Sequence, residues 1–239
     1  MANHRAYRLM LHLALTVPSV FTAQGATATA LVGILAEDGL LMAADSRERL
    51  FGGGDNRVLH VNDNVCKIRV IRKTLFGMAG LKVDVVGRFS YQDAITEVLR
   101  NRGSLRDALK TIADELKPKS LEFLKRLRRD DPAAFALETS KAWFLDVLIG
   151  AFEGRRPAMM RVVLKAKVEG DRLRVDREFQ CENGCPGKFA RFALGEVTGR
   201  DFDANPPVFP LHEYARSIVS LKVSDPSVGG PSLSIWMRQ

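Results

Sequence analysis

Residues 29–45 read TALVGILAEDGLLMAAD, and the fold is decided by how that stretch turns back on itself. Thr29 to Ala36 and Leu40 to Ala44 are two apolar runs, and Glu37, Asp38 and Gly39 lie between them. An Asp-Gly pair between apolar runs predicts a tight hairpin, so the stretch reads as two antiparallel strands ending at Asp45.

Upstream of Thr29 the chain reads as a targeting segment. It has a basic start at His4, Arg5 and Arg8, an apolar run from Leu9 to Phe21, and the small-residue pattern Ala26, Thr27, Ala28. The apolar run is too short for a membrane anchor. The expectation is a prefix over 1–28, either a signal peptide or a self-cleaved propeptide, followed by one domain over 29–239. A cut after Gly25 also satisfies the small-residue rule. Export to the periplasm or beyond follows from a signal peptide; a self-cleaved propeptide leaves a cytoplasmic enzyme as the alternative. Removing 28 residues from 239 leaves 211, enough for one domain with a substantial core. The prefix carries two arginines and no acid, so the charge falls from +8 to +6.

A cut after Ala28 makes Thr29 the first residue, with a hydroxyl nucleophile and a free α-amine to serve as its base. With a reference pKa of about 8, that amine is neutral often enough near physiological pH to take a proton.

Beyond the hairpin, Val65 to Ile71 and Thr74 to Ala79 read as strands. A helix is expected from about Leu81 to Arg100. A second opens at Ser104, with Asp107 three residues on, and Leu105, Leu109, Ile112 and Leu116 recur at helical spacing. Pro118 is expected to break or kink it, with the pattern resuming at Leu121, Leu124 and Leu127. Strands follow at Phe144 to Phe152, Met159 to Val168 and Leu173 to Phe179. Short helices are expected at Phe189 to Leu194 and Leu211 to Lys222, and a closing strand at Ser232 to Met237. This order argues for layered sheets covered by helices.

Other chemistries find little support. The basic cluster Lys117, Lys119, Lys125, Arg126, Arg128 and Arg129 reads as a solvated helix face, not a nucleic-acid patch. Gly52 to Asn56 lacks the Gly-Lys-Ser/Thr ending of a phosphate loop. After the prefix only His60 and His212 remain as histidines, far apart, so no metal or other cofactor is expected. Cys181 and Cys185 could close a small disulfide on export, and Cys66, among apolar neighbours, reads as a buried thiol.

Thr29, Gly33, the run Ala43 to Arg47, Lys67, the stretch Met78 to Gly80 and the segment Asp225 to Gly230 occur in an order and spacing that resembles the proteasome β-subunit family (peptidase family T1), as in a bacterial proteasome homologue. The resemblance implies an α+β fold, a four-layer αββα sandwich of the N-terminal-nucleophile hydrolase type. It implies a threonine endopeptidase acting on peptides or unfolded proteins from within a homo-oligomeric ring. Lys67 matches the cation beside the hydroxyl, and Asp45 the carboxylate that orients it. Gly80 matches the oxyanion-binding N–H, a kind of contact worth roughly 3 kcal/mol. Asp225 matches the family aspartate. Met78 matches a residue shaping the first specificity pocket and implies apolar side chains there. Two family serines are replaced: one position holds Val228, and the nearest counterpart of the other is Gly195–Glu196. These replacements keep open a noncatalytic ring subunit, and an amidase acting on small non-peptide amides is the remaining alternative.

Overall fold

The computed structural model describes residues 25–27, 29–51, 58–63, 65–182, 185, 189–205, 207, 210–222, 228 and 232–238. In chain order the first strands are β1 (Gly25–Thr27), β2 (Ala30–Ala36), β3 (Gly39–Ala44), β4 (Glu48–Phe51) and β5 (Val58–Asn62). Then come β6 (Ile68–Ile71), β7 (Thr74–Asp84), β8 (Phe89–Ser90) and helices α1 (Tyr91–Arg100), α2 (Leu105–Asp130) and α3 (Pro132–Ser140). The remainder is β9 (Leu145–Glu153), β10 (Arg156–Glu169), β11 (Arg172–Gln180), β12 (Ala190–Gly195), α4 (Gly199–Ala204), α5 (Leu211–Ser220) and β13 (Leu233–Arg238). The expected boundary at residue 28, the prefix over 1–24, the glycine-rich loop at 52–56 and Asp225 lie outside the described residues.

The fold mixes helices with antiparallel sheets. The β2–β3 hairpin forms as its sequence predicts, with Ala36 opposite Gly39 and Leu31 opposite Ala44. β12 and β13 flank it, giving a sheet in the order β12-β2-β3-β13. The larger sheet runs β1-β7-β9-β10-β11, with β6 and β8 also paired to β7.

Three groups of buried side chains hold these elements. Leu31, Leu35, Leu40 and Met42 of the small sheet meet Leu75, Leu148 and Met159 of the large one. Helices α1 to α3 bury Ile95, Leu109, Ile112 and Leu124 against Phe76, Val147 and Val162 on the large sheet. On the small sheet, Val32, Ile34 and Leu41 pack with Tyr214 and Ile218 of α5. Burial at about 25 cal/mol per Å² of apolar surface makes these groups the main source of stability.

Helix starts follow local chemistry. Ser104 Oγ accepts the N–H of Asp107, the capping arrangement expected from sequence, and Ser90 Oγ does the same for Asp93. Three sequence expectations need correction. Residues 81–90 are not helical: β7 continues to Asp84 because its backbone pairs with β1 and β8, and helix begins only at Tyr91. Pro118 does not break α2, which runs through it unbroken. Pro118 faces solvent while Leu116, Phe123 and Leu124 are buried, so packing holds the helix and water can serve the carbonyl that proline leaves unbonded. Residues 189–194 are not helical either. β12 pairs along β2, from Ala190 opposite Leu35 to Gly195 opposite Ala30, and buries Phe192 and Leu194 on one face.

Candidate active site around Thr29

The hairpin register brings together residues sixteen positions apart. Asp45 donates its N–H to the Ala30 carbonyl at 3.1 Å, and its Oδ1 accepts the Ala30 N–H at 2.8 Å. The carboxylate is thereby fixed one residue from Thr29. Its Oδ2 also accepts the Arg47 N–H at 3.2 Å.

Lys67, just before β6, donates from Nζ to both Asp45 oxygens, at 2.9 and 2.8 Å. The two side chains are only 4% and 1% exposed. Taking two charges out of water costs several kcal/mol per ion before their attraction returns it, so such a pair is weak evidence for stability. The pair is held next to Thr29 by the bond from the Ala30 N–H to Asp45 Oδ1.

Thr29 is fully buried. Its backbone carbonyl accepts the N–H of Glu196 at 2.8 Å. Its Oγ1 is shut off from solvent and has no hydrogen-bond partner among the described residues. An orphaned buried hydroxyl costs about 1–3 kcal/mol, so its retention asks for a reason. In the full-length chain the Thr29 nitrogen is an amide rather than an amine.

Gly80 lies on β7 between Thr27 of β1 and Leu145 of β9. Its φ is +102°, and a Cβ would stand 2.3 Å from the Phe144 carbonyl oxygen, so only glycine fits. β1 therefore lies along Gly80 to Val83 as an added antiparallel strand, the way extended peptides bind sheet edges. Met78, two residues before Gly80, is buried.

Of the residues expected from sequence, Asp45 and Lys67 form one hydrogen-bonded unit beside Thr29, and Gly80 and Met78 share one strand. Asp225 falls outside the described residues. Val228 is fully buried among Ala30, Ala43 and Ile218, and its carbonyl accepts from Arg47 Nη1 at 3.4 Å. Gly195–Glu196 does lie against Thr29, through the backbone. Cys66 is exposed, contrary to the expected buried thiol, and its Sγ donates to the Ile68 carbonyl. Cys181 and Cys185 are joined in a disulfide.

Sequence reasoning missed a hollow beside Lys67, walled by Phe76 and Met78 and rimmed by Arg69, Lys82 and Gln92. Strand alternation offered a signal, since positions 76, 78, 80 and 82 share one face of β7.

No family model matches the sequence. No curated protein matches it either. Among solved structures, the chain is similar to Thiobacillus denitrificans BPH in complex with epoxomicin, at 16% identity and a TM-score of 0.43, covering 87% of this chain and 98% of that one. A further structure of Thiobacillus denitrificans BPH matches at the same identity and TM-score, over 87% and 97% of the two chains.

Proposed function

We propose that the protein is a threonine peptidase of proteasome type, with a four-layer αββα sandwich and Thr29 as nucleophile. The observation that carries this reading is the buried Lys67–Asp45 pair, tied by Asp45 Oδ1 to the N–H of the residue after Thr29.

Cleavage after Ala28 frees the Thr29 amine. The amine then takes the hydroxyl proton as Oγ1 attacks a peptide carbonyl, forming a tetrahedral oxyanion. Gly80 supplies an N–H to that oxyanion. Collapse expels the amine half of the peptide, with the proton returned to it, and leaves an ester on Thr29 that water hydrolyses. Lys67, held charged and oriented by Asp45, disfavours protonation of the nearby amine. The uncut chain is the precursor, with β1 occupying the edge of β7 that an extended substrate would use. Assembly into a homo-oligomeric ring and export with removal of the prefix belong to the same proposal.

A noncatalytic subunit of the same fold is the second reading. Val228 favours it, because its buried side chain offers no hydrogen bond where the family has a hydroxyl.

Intact mass and N-terminal sequencing of the protein from its own host, with hydrolysis of fluorogenic peptides, separate the two. A chain starting at Thr29, labelled there by an epoxyketone and inactivated by Thr29→Ala, is the expected result. Undiminished hydrolysis by Thr29→Ala would overturn the peptidase, and an uncut, unlabelled chain would favour the noncatalytic subunit.

A further inference from the structure

At the end of β7 away from Gly80, a cavity of about 380 Å³ opens between the β6–β7 turn, the α1–α2 loop and the β9–β10 turn. Arg72, Arg100, Arg102 and Glu153 surround it, and Leu99 and Phe152 give it an apolar lining. Its volume lies in the range of small-molecule sites. Thr74 and Gly80 are six residues apart on β7, which at about 3.4 Å per residue sets the cavity about 20 Å from the candidate active site.

The acids around it are already matched. Glu153 accepts from Arg102 Nη1 at 3.2 Å and from the Leu105 N–H at 2.9 Å. Glu97 of α1 is held by Asn101 at 2.8 Å and by Arg100 at 3.4 Å. The cations outnumber them. Arg72 donates from Nη1 to the Arg100 carbonyl, a neutral acceptor, and forms no ion pair among the described residues. Lys73, Arg155 and Arg156, neighbours in the chain of lining residues, are exposed and likewise form no ion pair among the described residues. Arg102 is the fixed point, with its side chain only 15% exposed and its Nε donating to the buried Thr74 hydroxyl at 2.7 Å.

The turn that carries Arg72 breaks a local rule. It is a two-residue hairpin connection with φ of +45° at Arg72 and +62° at Lys73, a geometry that asparagine and glycine fill at least cost. Two long cations hold it instead, and strain kept in this way accompanies function.

We propose that this cavity binds a small polyanion carrying adjacent phosphate or carboxylate groups. A guanidinium offers a planar fork of N–H donors that meets such oxygens two at a time, and Arg72 and Arg100 keep most of their donors without a protein partner. Arg102, pinned by Thr74, supplies a preorganised edge. The proposal does not depend on Thr29 or on peptide hydrolysis.

The test is isothermal titration calorimetry on the full chain at fixed, physiological ionic strength, with inorganic pyrophosphate and citrate as probes. Binding at one site per chain is expected. Pyrophosphate alone would assign phosphate chemistry, citrate alone carboxylates, and both the anionic chemistry they share. Arg72→Gly removes the guanidinium while suiting the left-handed turn, so it should weaken binding about ten-fold with an unchanged or raised thermal midpoint. Arg100→Gln leaves the turn alone and should weaken binding by a similar factor. Lys125→Gln, an equal loss of charge on an exposed position of α2, should change it less than about two-fold. Binding of neither probe, equal weakening by Lys125→Gln, or binding untouched in both arginine variants would overturn the site.

Discussion

Gly195 lies against Thr29: a Cβ at residue 195 would stand 1.7 Å from the Thr29 carbonyl oxygen, and Gly195 has a φ of +68°. The next N–H, that of Glu196, donates to the same oxygen. A left-handed glycine thus lets the end of β12 grip the backbone of the candidate nucleophile. Gly195→Ala should destabilise the protein by about 2 kcal/mol or more, through backbone strain and the forced movement of Thr29. Chemical denaturation reads the stability, and inhibitor labelling of Thr29 reads its placement.

The Lys67–Asp45 pair should behave differently when broken and when replaced. Asp45→Asn leaves an ammonium buried without its counter-charge and should cost about 3–5 kcal/mol. Asp45→Leu combined with Lys67→Met should recover most of that loss in a urea melt, yet remain inactive on peptides. A stable double variant that still hydrolyses peptides would assign the pair a purely structural part.

Reducing the Cys181–Cys185 bond opens a loop of only a few residues. Cys181→Ser with Cys185→Ser should therefore lower stability by about 2 kcal/mol on chain-entropy grounds. Thiol titration of the unfolded protein should find one reactive thiol, Cys66, before reduction and all three after it.

Asp201 links stability to pH. Burial pushes its carboxyl up, but Lys222, together with the Thr198 N–H and hydroxyl, outweighs that and holds it below the ordinary carboxylate range. A carboxyl depressed in the folded state contributes stability that is present above its unfolded value and disappears as pH falls through its folded value. Asp201→Asn should cost about 1 kcal/mol at neutral pH through the weakened cap of α4. That difference from wild type should vanish in melts carried out at increasingly acidic pH.

Pro118 sits exposed inside α2, where its ring nitrogen cannot donate a helical hydrogen bond. Pro118→Ala should stabilise the protein by about 2 kcal/mol, less whatever the freer unfolded chain takes back. A higher thermal midpoint with unchanged helicity by circular dichroism is the expected result.

What the sequence determined by itself was local. Apolar runs around Asp38–Gly39 specify a hairpin because the turn dictates the register, and Ser104 with Asp107 specifies a helix start because a hydroxyl caps the nearest free N–H. The spacing from Thr29 to Asp45 and on to Lys67 and Gly80 was also legible, since one strand register carries most of it. The tertiary structure alone decided the rest. Residues 189–194 have helix-forming composition, yet they are a strand, because the open edge of β2 offers backbone partners and a face that buries Phe192 and Leu194. Residues 81–84 extend β7 for the same reason, with β1 as partner. The basic hollow joins Arg69, Lys82 and Gln92 from three different elements. No single strand or helix periodicity joins those residues; only the packing of α1 against β6 and β7 brings them to one surface.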